Sequence, residues 1–150
     1  MEPSQQVVDF ELSKKLKVLD LNYDSYFTWW ACEKAECDCK EKLTLHTSEA
    51  SNLTNYPAYT VSELLNLIPH MVDTKQNEPF NFFRFNLEKS FTCDLAEYKK
   101  TDTYIVNYQC DSRSPDDGFI IRRLTRNIYD ANPANALAKM IIFLIESKLY

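Results

Sequence analysis

Glycine is almost absent from this sequence, since Gly118 is the only one among 150 residues. Loops that cradle phosphate groups need several glycines, because a side chain would keep the backbone away from the phosphate. The sequence therefore excludes the Walker-type NTPases and the Rossmann dinucleotide-binding enzymes. Tight hairpin turns also favour glycine, so we expect most turns to be longer loops built from Asn, Asp, Ser and Pro.

Histidine and clustered basic residues are scarce as well. The only histidines are His46 and His70, so a Cys–His or Ser–His catalytic pair would have to use one of them, and no nucleophile elbow is present. The chain has 17 basic and 22 acidic residues and a net charge of −5. Binding to nucleic acid needs clustered Lys and Arg. We therefore do not expect a nucleic-acid-binding protein, and the sequence favours a non-enzymatic one.

Long apolar runs are also missing. The longest, Met140–Ile145, is far too short to span a bilayer. The first ten residues, MEPSQQVVDF, lack the basic start and the continuous apolar centre of a signal peptide. The cysteine number, five, is odd, which fits a reducing compartment better than a disulfide framework. We therefore expect a cytoplasmic protein that does not enter the membrane.

Three of the cysteines lie close together in the segment WWACEKAECDC, residues 29–39. Cys32, Cys37, Cys39 and the nearby His46 are four potential zinc ligands, although their spacing is not that of a standard zinc knuckle. The acidic residues around them raise thiol pKa values, which disfavours a reactive thiolate. We expect free thiols and no cofactor. A structural zinc is the first alternative, and a redox or disulfide role is the second.

Three segments have the pattern of helices. Residues 9–19 place leucines on one stripe, and Asp9 can cap the first turn. Thr60 and Glu63 form a capping-box signature ahead of a second amphipathic segment, which Pro69 ends. The third segment begins with Asn132 and Pro133 and is apolar around most of its circumference. We expect this last helix to be buried on more than one side or to contact a partner.

Five segments have strand character: residues 26–32, 42–47, 80–91, 103–110 and 119–125. The strands follow one another in groups instead of alternating with helices, which is typical of an antiparallel sheet. The sequence therefore predicts a single α+β domain over residues 1–150. It would have a mostly antiparallel sheet of about five strands and three helices, with the C-terminal helix central to the core.

Two sets of residues are candidates for binding. One is a candidate site for a nucleotide-like anion, formed by a cluster of arginines and two strand tyrosines: Arg122, Arg123, Arg126, Tyr104 and Tyr108. The other is a possible interface on the last helix, formed by Met140, Ile142 and Phe143. In both sets, burial in the core or an ordinary solvated strand edge is the competing interpretation.

Three stretches carry a resemblance to a known group: DSYFTWW (24–30), NYPAYTVSELLNLIP (55–69) and NPANALAKMIIFLIESKL (132–149). They resemble small uncharacterised proteins encoded by Bacteroidota and by their phages or prophages. The resemblance covers about half of the chain in patches and excludes the cysteine cluster. It implies an accessory protein of a mobile element in a bacterial cytoplasm, and it implies no site residues.

Three hypotheses for the function follow. The first is a non-enzymatic phage or prophage accessory protein that binds a host or phage protein or associates with itself, with counter-defence as one role. The second is a protein that binds or sequesters a small nucleotide-like anion. The third is an enzyme of unknown class.

Overall fold

The computed structural model describes residues 6–21, 24–31, 42–45, 54–73, 82–94, 99–113, 120–124 and 126–149. Within these residues the chain forms three α-helices and eight β-strands. Their order is α1 (Phe10–Val18), β1 (Phe27–Ala31), β2 (Lys42–Leu45), β3 (Thr54–Pro57), α2 (Val61–Leu67), β4 (Met71–Asp73), β5 (Phe82–Asp94), β6 (Lys99–Arg113), β7 (Ile120–Leu124), β8 (Ile128–Asp130) and α3 (Pro133–Glu146).

The strands form two sheets, and every described strand pair is antiparallel. The smaller sheet has the order β2-β1-β3, and the larger has the order β4-β5-β6-β7, with β8 also pairing with β6. The long strand β6 therefore pairs with β5 along one edge and with β8 and then β7 along the other. The predicted α+β class and antiparallel pairing are confirmed.

Three strands were not predicted: β3, β4 and β8. The polar stretch ending at residue 57 has the composition of a turn, but Thr54–Pro57 pairs with β1 in a continuous register. Pairing with a strand far away in the chain overrides the weak local preference of such short segments. The strands β4 and β8 have three residues each, which is too short for a two-residue periodicity to be visible.

All three helix starts follow the predicted capping chemistry. The Asp9 side chain accepts a hydrogen bond from the backbone N–H of Leu12. Thr60 and Glu63 form the complete capping box of α2. The Asn132 side chain accepts from Ala134 N, and Pro133 occupies the first turn of α3. These caps satisfy backbone donors that would otherwise lack a partner at each helix start.

The last helix is central to the core, as predicted. Eight of its fourteen residues are buried, and it packs on the larger sheet against Val106, Tyr108 and Phe83. Leu12 and Leu16 of α1 and Leu64 of α2 join the same hydrophobic cluster. The first turns of α3 contain three buried alanines, Ala134, Ala136 and Ala138. Their small side chains let α3 approach its neighbours closely. None of the described helices is both long enough and apolar enough to cross a membrane.

Candidate binding groove between the first and last helices

A groove of about 780 Å³ lies along the surface between α1 and α3. One wall is the face of α1 from Leu12 to Leu19, and the opposite wall is the face of α3 from Lys139 to Glu146. The segment 126–129, which leads into β8, completes the lining. We call this feature the α1–α3 groove.

The two walls are held together at one end by a hydrogen-bonded pair. The Asn135 Nδ2 group donates to Asp9 Oδ2 at 2.9 Å, and the Asp9 N–H donates to Asn135 Oδ1 at 2.9 Å. Asn132 adds a third bond, from its Nδ2 group to the carbonyl of Val7 at 3.0 Å. Because these bonds join the first turns of both helices, they set the relative position of the groove walls.

The groove is apolar inside and at its rim. Leu12 and Ile128 are buried in its lining, and Ile142 and Phe143 are half-buried. At the rim, the side chains of Val18 and Tyr129 are 84% and 55% exposed. Large apolar side chains gain free energy when they leave water, so their exposure beside an apolar groove marks a candidate binding surface.

The charged residues of the groove are mostly basic. Four basic residues, Lys14, Lys15, Arg126 and Lys139, line it, against one acidic residue, Glu146. This local excess of positive charge contrasts with the net charge of −5 for the whole chain. The groove is therefore suited to a ligand or partner that carries negative charge.

Two of the four cations already have acidic partners. Lys14 Nζ lies 2.9 Å from a Glu11 oxygen, and Lys139 Nζ lies 2.6 Å from Asp130 Oδ2. Among the residues that the structure describes, neither Lys15 nor Arg126 forms an ion pair. Those two charges are therefore the ones most available to an incoming anionic group.

A short hydrogen-bond chain leads from the sheet to the rim of the groove. The Asn107 Nδ2 group donates to Asn127 Oδ1 at 3.0 Å, and Asn127 Nδ2 donates to the Tyr129 hydroxyl oxygen at 3.0 Å. The Tyr129 hydroxyl is an acceptor in this chain, so its own proton can be donated to a further group. Asn107 is buried, and its Oδ1 accepts no hydrogen bond from any described residue.

Comparisons with protein-family models, with curated proteins and with solved structures gave no match to this chain.

Three residues of the predicted anion site, Arg126, Tyr104 and Tyr108, do not lie together. Arg126 lines the α1–α3 groove, whereas Tyr104 lines a second hollow, with Lys89 Nζ 5.8 Å from its ring centre. Tyr108 is fully buried, and its hydroxyl donates to the carbonyl of Pro69 at 2.6 Å. It therefore contributes to the core instead of to a ligand-binding surface.

The two remaining arginines of that predicted site lie on β7. The backbone of Arg122 is paired with Asp111, and that of Arg123 is paired with Cys110, both on β6. The described residues do not extend to the surroundings of these two side chains, so the role predicted for them stays a prediction.

The residues of the predicted interface on the last helix also lie in two different environments. Met140 is fully buried and belongs to the core. Ile142 and Phe143 are half-buried and line the groove. One face of this apolar helix is therefore core and another is a groove wall, and its contact with a partner stays a prediction.

The four predicted zinc ligands, Cys32, Cys37, Cys39 and His46, lie outside the described residues. Among the described residues, no group of three or more His, Cys, Asp or Glu side chains could hold a metal ion. The zinc prediction thus stays untested.

Several groove residues were missed by reasoning from sequence. Val18 lies outside the leucine stripe of α1 and has the pattern of an ordinary surface residue. Tyr129 lies in a strand of three residues that no periodicity reveals. The chain places both at the groove only through the packing of α1 and β8 around α3.

Proposed function

We propose that the protein is a non-enzymatic binding protein that holds a protein partner in the α1–α3 groove. The observation that carries this proposal is the exposure of Val18 and Tyr129 at the rim of an apolar groove. These side chains extend the apolar surface beyond the groove itself. Such an extended surface suits a macromolecular partner, whose contact area is larger than that of a small ligand.

The biological setting we propose is a phage or prophage accessory role in a bacterial cytoplasm. The partner would be a host or phage protein, and the role would include counter-defence. Support for this setting comes from the resemblance of residues 24–30, 55–69 and 132–149 to proteins of Bacteroidota and their phages.

The experiment compares two groups of exposed apolar residues. A double variant, Val18→Gln with Ile142→Gln, makes the groove polar without adding charge. The matched control is Met71→Gln, because Met71 is 60% exposed on β4 and does not line the groove. Circular dichroism first establishes that both variants are folded.

Binding is then measured by affinity capture from a Bacteroidota lysate and by native mass spectrometry, which also reports self-association. We expect the native protein and the Met71→Gln control to form the same complex and the double variant to lose it. If the complex survives in the double variant and is lost in the control, the interface lies outside the groove.

A comparison within α3 separates the groove from the core. Leu144 is fully buried, so Leu144→Glu should unfold the protein. Ile142 is half-buried at the groove, so Ile142→Glu should leave the fold intact and abolish the complex. If Ile142→Glu also unfolds the protein, the wall of the groove is part of the core.

The second candidate function is the binding of a nucleotide-like anion in the same groove. The groove volume of about 780 Å³ is within the range of small-ligand clefts, about 300–1,000 Å³. Lys15 and Arg126 would hold the anionic group. A thermal-shift series with nucleotides tests this candidate, since a saturating ligand that binds only the folded state must raise the melting temperature.

A further inference from the structure

We infer that the segment bound in the α1–α3 groove is an acidic amphipathic helix of the partner protein. This inference rests on the proposed function and adds the chemistry of the partner. Its first support is charge: four basic residues and one acidic residue line the groove, and two of the basic residues, Lys15 and Arg126, form no ion pair with a described residue. An acidic segment is attracted there and is repelled by the rest of this acidic chain, so the charge pattern also orients the encounter.

The second support is the polarity of the lining. Apart from Asn127 and Tyr129, the uncharged lining residues are leucine, isoleucine, valine and phenylalanine, whose side chains offer no hydrogen bonds. An extended peptide laid on such a surface would leave backbone N–H and C=O groups without partners. A helix satisfies those groups internally and can bury an apolar stripe there.

The third support is the shape of the walls. On α3, the lining residues Lys139, Ile142, Phe143 and Glu146 recur every three or four positions. On α1, the lining extends from Leu12 to Leu19 in the same way. Each wall is therefore one face of a helix about two turns long, or about 10 Å, which a third helix can contact by packing ridges into grooves.

Lys15 and Arg126 are the residues that would recognise the carboxylates. Lys15 is on α1 and Arg126 precedes β8, so they belong to different parts of the lining. Lys14 and Lys139 are paired with Glu11 and Asp130, which offset their charges, so they contribute less to the attraction of an anion. The Tyr129 hydroxyl, held by Asn127, can donate one further hydrogen bond to a carboxylate.

The test uses synthetic helical peptides of about 15 residues, a length at which an isolated helix begins to be stable. Each has leucines at positions i, i+3, i+4 and i+7, and the other positions are mainly Glu, Gln or Lys in three versions. A fourth peptide is the Glu version with a central proline. Dissociation constants are measured by fluorescence anisotropy at low and at physiological salt.

We expect the Glu peptide to bind most tightly, the Lys peptide least tightly, and the proline peptide not at all. The double variant Lys15→Glu with Arg126→Glu should weaken the binding of the Glu peptide by about tenfold, because two exposed ion pairs are lost. The same variant should improve the binding of the Lys peptide. The matched control is Arg84→Glu, which reverses an exposed charge on β5 outside the groove.

The other outcomes separate this inference from the proposed function. Equal binding of the Glu, Gln and Lys versions, lost in the Val18→Gln and Ile142→Gln double variant, would keep the groove as a protein-binding site and contradict the acidic character of the partner helix. If the proline peptide binds as tightly as the Glu peptide, the bound segment is not a helix. If no peptide binds, and lysate complexes survive the groove variant, the proposed function itself fails.

Stabilisation by ATP or pyrophosphate that is lost in Lys15→Glu with Arg126→Glu would assign the groove to a small anion instead.

Discussion

The hydrogen-bonded pair of Asp9 and Asn135 makes a specific prediction about stability. These residues are far apart in the chain, and the pair joins the starts of α1 and α3 through two hydrogen bonds of 2.9 Å. The substitution Asn135→Ala removes both bonds at once. It leaves the carboxylate of Asp9 with its bond to the Leu12 N–H, so the cap of α1 is retained.

The magnitude follows from the burial of the two partners. Asn135 is only 9% exposed, whereas Asp9 is exposed, so water can replace Asn135 around the carboxylate. Each hydrogen bond contributes about 1 kcal/mol net, which predicts a loss of about 2 kcal/mol in the free energy of unfolding. For a chain of this size the melting temperature should fall by about 4–8 °C.

The assay is urea unfolding followed by far-ultraviolet circular dichroism. The matched control is Asn66→Ala, because Asn66 is an exposed residue in α2. Replacing asparagine by alanine raises helix propensity in both helices, so the difference between the two variants isolates the hydrogen bonds. A free energy of unfolding for Asn135→Ala within about 0.5 kcal/mol of the control would refute the reasoning.

Three further predictions concern single contacts. Tyr108→Phe removes the hydroxyl that donates to Pro69, so urea unfolding should show a loss of about 1–2 kcal/mol. Thr60→Ala breaks the capping box of α2 and should cost about 1 kcal/mol, measured in the same way, whereas an unchanged stability would mean that the box is not maintained in solution. The side-chain hydrogen bond to Asp102 raises the pKa of Lys89 above its ordinary value. Because a raised lysine pKa stabilises the fold below the unfolded-state pKa, the stability difference between the native protein and Lys89→Met should be constant from pH 6 to 9. That difference should disappear only in strong alkali, and a change near neutral pH in a stability titration would contradict the assignment.

The α1–α3 groove combines features that appeared in the sequence as two unrelated candidates. Arg126 belonged to a possible anion site, and Ile142 and Phe143 belonged to a possible interface. The structure places these three residues in one lining, together with Val18 and Tyr129. The protein-binding proposal and the anion-binding candidate therefore concern the same groove, and a comparison of helical peptides with ATP or pyrophosphate as ligands distinguishes them.

Local chemistry explains which elements could be predicted. The caps Asp9, Thr60 and Asn132 act on donors within the next three residues, so their effect is visible in the sequence. The long strands β5 and β6 contain runs of aromatic and β-branched residues, which favour extended backbone. The strands β3, β4 and β8 have no comparable local signal, and they exist because a neighbouring strand pairs with them.

The sequence by itself determined the α+β class, the capped starts of all three helices and the central place of the last helix, because each depends on neighbouring residues or on a helical period. Only the tertiary structure decided which apolar residues are core and which line a surface. Met140 and Ile142 are two positions apart in one apolar run, yet the first is fully buried and the second lines the groove. Their side chains point about 160° apart around the helix, so their surroundings depend on what packs against each face. The positions of α1 and β8 beside α3 set those surroundings, and they depend on contacts between distant parts of the chain, such as that of Asp9 with Asn135.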